Sequence, residues 1–199
     1  MGPSSLVADE RGTSSGHDAL TVLVEGLRRL EYRGYDSAGV AVLSNGTVGF
    51  RKKAGKLLNL EQELGERPLP RSSTGIGHTR WATHGGPSDT NAHPHVVDGG
   101  RLAVIHNGII ENFAEIKREL VEKGHAFASE TDTEVAATLL ADVYNDLGDQ
   151  DLTAAMQVAC RRLEGAFTLL AVHVDHPGHV VAARRNSPLV LGLGEGENF

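Results

Sequence analysis

The chain has 199 residues, 40% of them hydrophobic, and a formal net charge of −7; at that length roughly two-thirds of the unfolded surface is buried, which suits one compact domain. The acidic balance, with no block of five or more Lys or Arg, excludes an electrostatic case for nucleic acid or an anionic membrane. No apolar run approaches the ~20 residues of a membrane helix, the first residues lack the apolar stretch of a signal peptide, and a lone cysteine, Cys160, fits a reducing compartment, so a cytoplasmic protein is expected.

Residues 1–17 contain four serines and three glycines and read as a flexible or non-native leader, with Leu6, Val7 and Ala8 its only apolar patch. The fold is expected to start at Asp18, a plausible N-cap for a helix over 19–30 with Leu20, Leu23, Val24, Leu27 and Leu30 at helical spacing. Asn45-Gly46 between two β-rich runs predicts a hairpin of Gly39–Leu43 with Thr47–Arg51. The Lys52-Lys53 pair, like the paired arginines, reads as a solvated strand or helix end. Leu102–His106 reads as a short buried strand that ends in Asn107-Gly108. Helices are expected over 112–123, stopped by Gly124, from near Thr131-Asp132, and over 151–163. The last of these places Cys160 on a core stripe with Leu152, Met156 and Leu163, where inert packing outweighs catalysis. Phe167–Val174, Val180–Arg184 and Leu189–Leu191 read as strands. Without regular strand–helix alternation, mixed or antiparallel sheets covered by helices are favoured over a parallel sheet.

From His78 to Asp132 the chain carries polar residues of binding type, which do not build a core. Arg80 lies among Thr79, Trp81, Thr83 and His84 in a segment bracketed by Gly75, Gly77, Gly85 and Gly86. A guanidinium grips a carboxylate through two parallel hydrogen bonds, and nearby hydroxyls complete the contact; a structural arginine in a turn explains the same residues equally well. Asn107-Gly108 offers two donors of the kind an oxyanion needs, although as a dipeptide it is more often a turn. Asp132 suits either an α-ammonium group or a helix cap. The histidines His78, His84, His93, His95 and His106 invite a metal reading, but no familiar ligand spacing supports one, so neither a metal nor a cofactor is expected.

Glu31–Gly39, His78–Gly85, Asn91–His95, His106–Asn112, Ser129–Glu134 and Ala183–Val190 together resemble the glutaminase domain of the glucosamine-6-phosphate synthases, which are class II glutamine amidotransferases of the N-terminal-nucleophile hydrolase fold. The resemblance covers about residues 18–199. It implies an α+β protein, a four-layer αββα sandwich, that hydrolyses L-glutamine and passes ammonia to sugar-phosphate isomerase domains for amino-sugar synthesis. Carried over, Arg80 grips the glutamine α-carboxylate with help from Thr83 and His84. Asp132 holds the α-ammonium, Asn107 and Gly108 form the oxyanion hole, Arg33 orders the nucleophile's surroundings, and Trp81 gates the ammonia channel.

The family's nucleophile is an N-terminal cysteine followed by a Gly-Ile-Val-Gly strand, its own α-amine taking the proton. Here residues 1–17 stand in place of that strand, and counting back from Gly26 puts the nucleophile's position near Ala8. The sandwich is therefore expected to lack its first strand and its C-terminal end, to contain no isomerase domain, and to hydrolyse glutamine hardly at all. A non-catalytic glutamine-binding or regulatory module is the alternative. The expected partners are L-glutamine, isomerase domains of the full-length enzyme and a second copy in a homodimer, with no nucleic acid and no membrane.

Overall fold

A computed structural model of the chain describes residues 4–8, 18–148, 150–195 and 197–199. In chain order the elements are β1 (Ser4–Ala8), α1 (Ala19–Leu30), β2 (Ser37–Ser44), β3 (Thr47–Ala54), α2 (Leu57–Glu66), β4 (Thr74–Arg80), β5 (His95–Val97), β6 (Leu102–Ile110), α3 (Phe113–Glu122), α4 (Asp132–Asp146), α5 (Leu152–Arg162), β7 (Gly165–His173) and β8 (Val181–Arg185). Two four-stranded sheets result, ordered β1-β4-β2-β3 and β5-β6-β7-β8, and all their pairings are antiparallel.

The period-2 alternation of the strands divides the core into three layers. Along β2, Ala38, Val40 and Val42 face Leu23 and Leu27 of α1 and Leu57 and Leu60 of α2. Ala41 and Leu43 point the other way, with Ile76, and meet Ala103 and Ile105 of β6 and Leu170 and Val172 of β7 between the sheets. The outer face of the second sheet, with Leu102, Val104, Phe167 and Leu169, packs on α3, α4 and α5. The molecule is thus an αββα sandwich, as the resemblance implies, and its inner layer is the thin seam between the sheets.

Several elements depart from the expectations, each for a physical reason. The first strand is present: β1 pairs with β4 from Ser4↔Thr79 to Ala8↔Gly75, so the fold does not begin at Asp18. Leu6-Val7-Ala8, read as a patch in a leader, belongs to a strand that occupies the free edge of β4 and satisfies its backbone groups. The rest of the proposed leader lies outside the described residues. The register also sets Ala8 five positions from Arg80 along β4, while Ser4 pairs with its neighbour Thr79. Asp18 does not cap α1 with its side chain; its Oδ1 instead accepts the Ser72 N–H at 3.0 Å. Leu189–Leu191 is not a strand, and Leu189, Val190 and Leu191 are 41%, 85% and 72% exposed, so they lack the burial that would reward ordering them.

Among the elements without a sequence prediction, β4 is explained by contact rather than propensity. β4 reads Thr-Gly-Ile-Gly-His-Thr-Arg, poor in strand formers, yet every residue of it is buried. Its glycines face α1: a Cβ on Gly75 would stand 2.9 Å from Leu23 Cδ1, so they mark where a helix crosses the strand closely. Among the described residues no helix is long and apolar enough to cross a membrane.

Removing residues 1–8 strips β4 of its edge partner. At about 1 kcal/mol for each backbone hydrogen bond lost, about five over this register, and 2–4 °C per kcal/mol for a chain of this size, the melting temperature is expected to fall by about 10–20 °C. Circular dichroism checks this, and an unchanged transition would show that β1 carries no part of the stability.

Candidate active site

Arg80 is the last residue of β4 and has the same strand parity as Ile76 and His78, so it points into the seam between the sheets. It is 3% exposed. A buried guanidinium must be satisfied by fixed acceptors, and the turn that follows supplies them. The Nη2 group donates to the carbonyls of His84 and Gly85, the latter at 2.9 Å, and Nη1 to the carbonyl of Gly86 at 3.5 Å. The Asp36 carboxylate stands 3.5 Å from Nη1 and also accepts the Ala82 N–H. Burial lowers the Arg80 pKa, opposed by the fields of Asp36 and Asp132. Arg80 therefore organises residues 82–86, which is the structural role its sequence allowed.

Asp132 enters from the opposite sheet's helical layer. It is the first residue of α4, behind Thr131, whose hydroxyl caps the helix by accepting the Glu134 N–H. Thr131 performs the capping, which leaves Asp132 available: it is 3% exposed, and its Oδ2 accepts the Ile110 N–H at 2.9 Å. His84 Nδ1 lies 3.7 Å and His106 Nδ1 3.8 Å from the carboxylate.

A cavity of about 20 Å³ lies between these groups, lined by His78, Arg80, Trp81, Thr83, His93, His106, Gly108, Thr131, Asp132 and Thr133. Five of the residues singled out from the sequence, Arg80, Trp81, Thr83, Gly108 and Asp132, thus meet around one space, and His84 touches its edge through Asp132. Trp81 is 53% exposed and lies against the turn at Arg33 and Gly34, where a Cβ on Gly34 would stand 2.9 Å from the indole. Arg33, half-buried, closes the short helical turn Glu31–Arg33.

Asn107 and Gly108 are in β6, paired with Thr168 and Phe167, and not in a turn. Because the strand continues to Ile110, their conformation is set by β7 and not by the dipeptide's turn preference. Gly108 has φ 133°, and a Cβ there would stand 2.1 Å from the Ala166 carbonyl oxygen. Glycine is required by that approach, whatever else its N–H does. Asn107 has the strand parity of Ala103 and Ile105, the residues of the inter-sheet face.

Under the cavity is a feature that the sequence analysis weighed only as a metal site. The rings of His78 and His93 lie 4.4 Å apart, and those of His93 and His95 5.2 Å. His95 Nε2 bonds the Thr131 hydroxyl at 2.9 Å and His106 Nδ1 that of Thr133 at 3.0 Å. Among the described residues no group of three or more His, Cys, Asp or Glu is placed to hold a metal ion. Burial lowers the pKa of all four, with His78 pushed down to about 3, so they form a neutral wall beside two charges. Lys52 is also not the solvated lysine that its dipeptide suggests. Its ammonium donates to the carbonyls of Thr90 and Ala92 at 3.0 and 2.7 Å, and burial lowers its pKa to about 8. Cys160 is on α5, half-buried beside the core of the second sheet's outer face, and burial raises its thiol pKa.

The histidine wall makes a pH prediction. In the unfolded chain these imidazoles take up protons as pH falls through about 6.5, whereas the folded protein resists until well below that. Their contribution to stability is therefore complete above about 6.5 and is lost as pH falls below it, by up to about 1.4 kcal/mol per pH unit for each histidine kept neutral. Urea unfolding between pH 8 and 5 measures this; a stability constant down to pH 5 would contradict the burial of the imidazoles.

Comparison with known proteins agrees with the geometry. Residues 78–199 match the family model described as a glutamine amidotransferase domain. The glutamine–fructose-6-phosphate aminotransferase (isomerizing) of Corynebacterium diphtheriae is 72% identical over 91% of this chain, and that of Corynebacterium efficiens is 68% identical over 96%. The chain spans only 29% and 30% of the length of those two relatives. The glutamine phosphoribosylpyrophosphate amidotransferase of B. subtilis superposes over 98% of this chain and 41% of its own with a TM-score of 0.78 at 24% identity, a likeness of fold. Together these matches and the two antiparallel sheets identify the αββα sandwich as the N-terminal-nucleophile hydrolase fold, and the chain belongs to the glutamine amidotransferase domain family.

Proposed function

We propose that the chain is the glutaminase part of a glutamine–fructose-6-phosphate aminotransferase and that the cavity between Arg80 and Asp132 is its L-glutamine site. The observation that carries this reading is the presence of one cationic and one anionic side chain, each 3% exposed, on the wall of the same cavity. Burying opposite charges around a space is costly unless the occupant brings the complementary charges. An α-amino acid does, as a zwitterion. Arg80, with Thr83 and His84, takes the α-carboxylate, and Asp132 takes the α-ammonium. The neutral histidines support this assignment, since a cationic wall would compete with the ammonium for Asp132.

The side-chain amide then extends toward β6, where Asn107 and the Gly108 N–H are the donors for the oxyanion formed on attack at the amide carbon. Loss of one such donor typically costs about 3–4 kcal/mol of barrier lowering. Arg33 orders the region beside the Ser4 end of β1, and Trp81 separates the cavity from solvent on the side where ammonia leaves. In the full-length enzyme ammonia passes to a sugar-phosphate isomerase unit for amino-sugar synthesis, in the cytoplasm. Within the 199 residues the only thiol is Cys160, on the far side of the second sheet, so this chain binds glutamine without turning it over. That same observation favours a glutamine-binding or regulatory module as the second reading.

Glutamine at about a hundred times its Kd is expected to raise the melting temperature by roughly 5–10 °C. Asp132→Asn, which keeps an acceptor for the Ile110 N–H but loses the charge, and Arg80→Ala should each abolish that shift; no shift in the wild-type chain would refute the site. Ammonia release tests the absence of turnover: a rate within about 1–1000 per second would show that a nucleophile is present and would remove the non-catalytic reading.

A further inference from the structure

The two charged arms of the cavity come from different sheets, and nothing in the covalent chain holds their separation. Arg80 carries residues 84–86 on its guanidinium. Asp132 follows the segment from Ser129 to Thr131, which is folded onto the Glu134 carboxylate. One side chain, that of Asn91, hydrogen-bonds to both. Asn91 is 4% exposed, and its Nδ2 donates to the Gly86 carbonyl at 2.9 Å and to Glu130 Oε2 at 3.2 Å. Its Oδ1 accepts the Glu130 N–H at 3.0 Å. Both protons of the amide and one acceptor position are thereby used, so the side chain has one orientation.

The surroundings are built to this side chain. A Cβ on Gly85, at φ 72°, would stand 2.6 Å from Asn91 Nδ2 and 2.9 Å from Glu130 Cβ, so the turn of the first arm is pressed directly against the bridge. From behind, the Lys52 ammonium holds the carbonyls on either side of Asn91, those of Thr90 and Ala92. The Asn91 N–H itself donates to Ser88 Oγ at 3.1 Å.

We propose that Asn91 is a positioning residue that sets the distance between the carboxylate-gripping and ammonium-gripping arms and thereby makes the site selective for a ligand carrying both charges of an α-amino acid. This rests on the glutamine reading given above. The physical basis is that a ligand spanning two arms gains from both only if their separation is fixed in advance. A ligand with a single charge engages one arm and is indifferent to the bridge. Aspartate in this position would keep the acceptor for Glu130 N–H but lose both donors and face the Glu130 carboxylate with like charge.

The test has two parts. In the unliganded protein, ¹⁵N relaxation and amide exchange should show Gly85, Gly86 and Glu130 loosening together in Asn91→Ala, because each segment loses its tie to the other. Loosening of one segment alone, or of neither, overturns the bridge irrespective of what the cavity binds. Calorimetry then compares L-glutamine with 4-carbamoylbutanoate, which lacks the amine, and 4-aminobutanamide, which lacks the carboxylate. Asn91→Ala should weaken L-glutamine about tenfold and each one-charge ligand less than about twofold; equal losses for all three indicate a merely structural effect and overturn the proposal. Asn91→Asp should behave like Asn91→Ala, and adding Glu130→Gln, which returns a donor between the segments, should recover part of the L-glutamine affinity; no recovery counts against the bridge. Failure of the wild-type chain to bind L-glutamine overturns the reading of the site and the selectivity given to Asn91, while the relaxation result still decides the linkage.

Discussion

The structure around the cavity depends on the burial of the Arg80 guanidinium at the end of the seam between two sheets. A cation removed from water there has to be met by several acceptors at once, and few arrangements of backbone supply them. The turn at residues 84–86 does so by directing three successive carbonyls at one side chain, and Asp36 adds a carboxylate. That requirement shapes the rest: Gly85 takes a left-handed φ of 72°, Ala82 is tied back to Asp36, and Asn91 seals the turn against the segment that leads to Asp132. One buried charge thus specifies a loop that has no regular secondary structure of its own.

The histidines fit the same logic. A seam that holds one cation and one anion has no tolerance for further charge, and polar side chains that stay neutral are the compatible lining. Burial holds His78, His93, His95 and His106 in that form, and threonines rather than carboxylates bond His95 and His106. A set of residues that looks like a metal cluster in one dimension is a low-charge wall in three.

Much of the scaffold is legible in the sequence wherever a local rule governs. The leucine spacing of α1, the Asn45-Gly46 turn between β2 and β3, the Gly124 stop after α3 and the stripe that places Cys160 in α5 all follow from periodicity or turn chemistry within a dozen residues. The misreadings share one cause, which is that the partner deciding the conformation is distant in the chain. Gly75 and Gly77 carry no strand signal until α1 crosses them. Asn107-Gly108 looks like a turn until β7 pairs with it. Lys52 looks solvated until residues 90–92 fold over it, and Leu6-Val7-Ala8 has no visible role until the open edge of β4 is beside it.

For the site, the sequence alone supplied the chemical inventory: a cation at Arg80 beside Thr83 and His84, an anion at Asp132, donor groups at Asn107 and Gly108, and the motif order that resembles the amidotransferase family. It could do so because residue type sets what a side chain can donate, accept or carry as charge. Packing across the chain settled which of these face one cavity, that Thr131 caps the helix in place of Asp132, that burial disfavours charge on the histidines, and which backbone segments Asp36, Asn91 and Lys52 bond. Those are properties of burial and of contacts across 38 to 46 residues of chain, and no local pattern encodes a distance between two sheets.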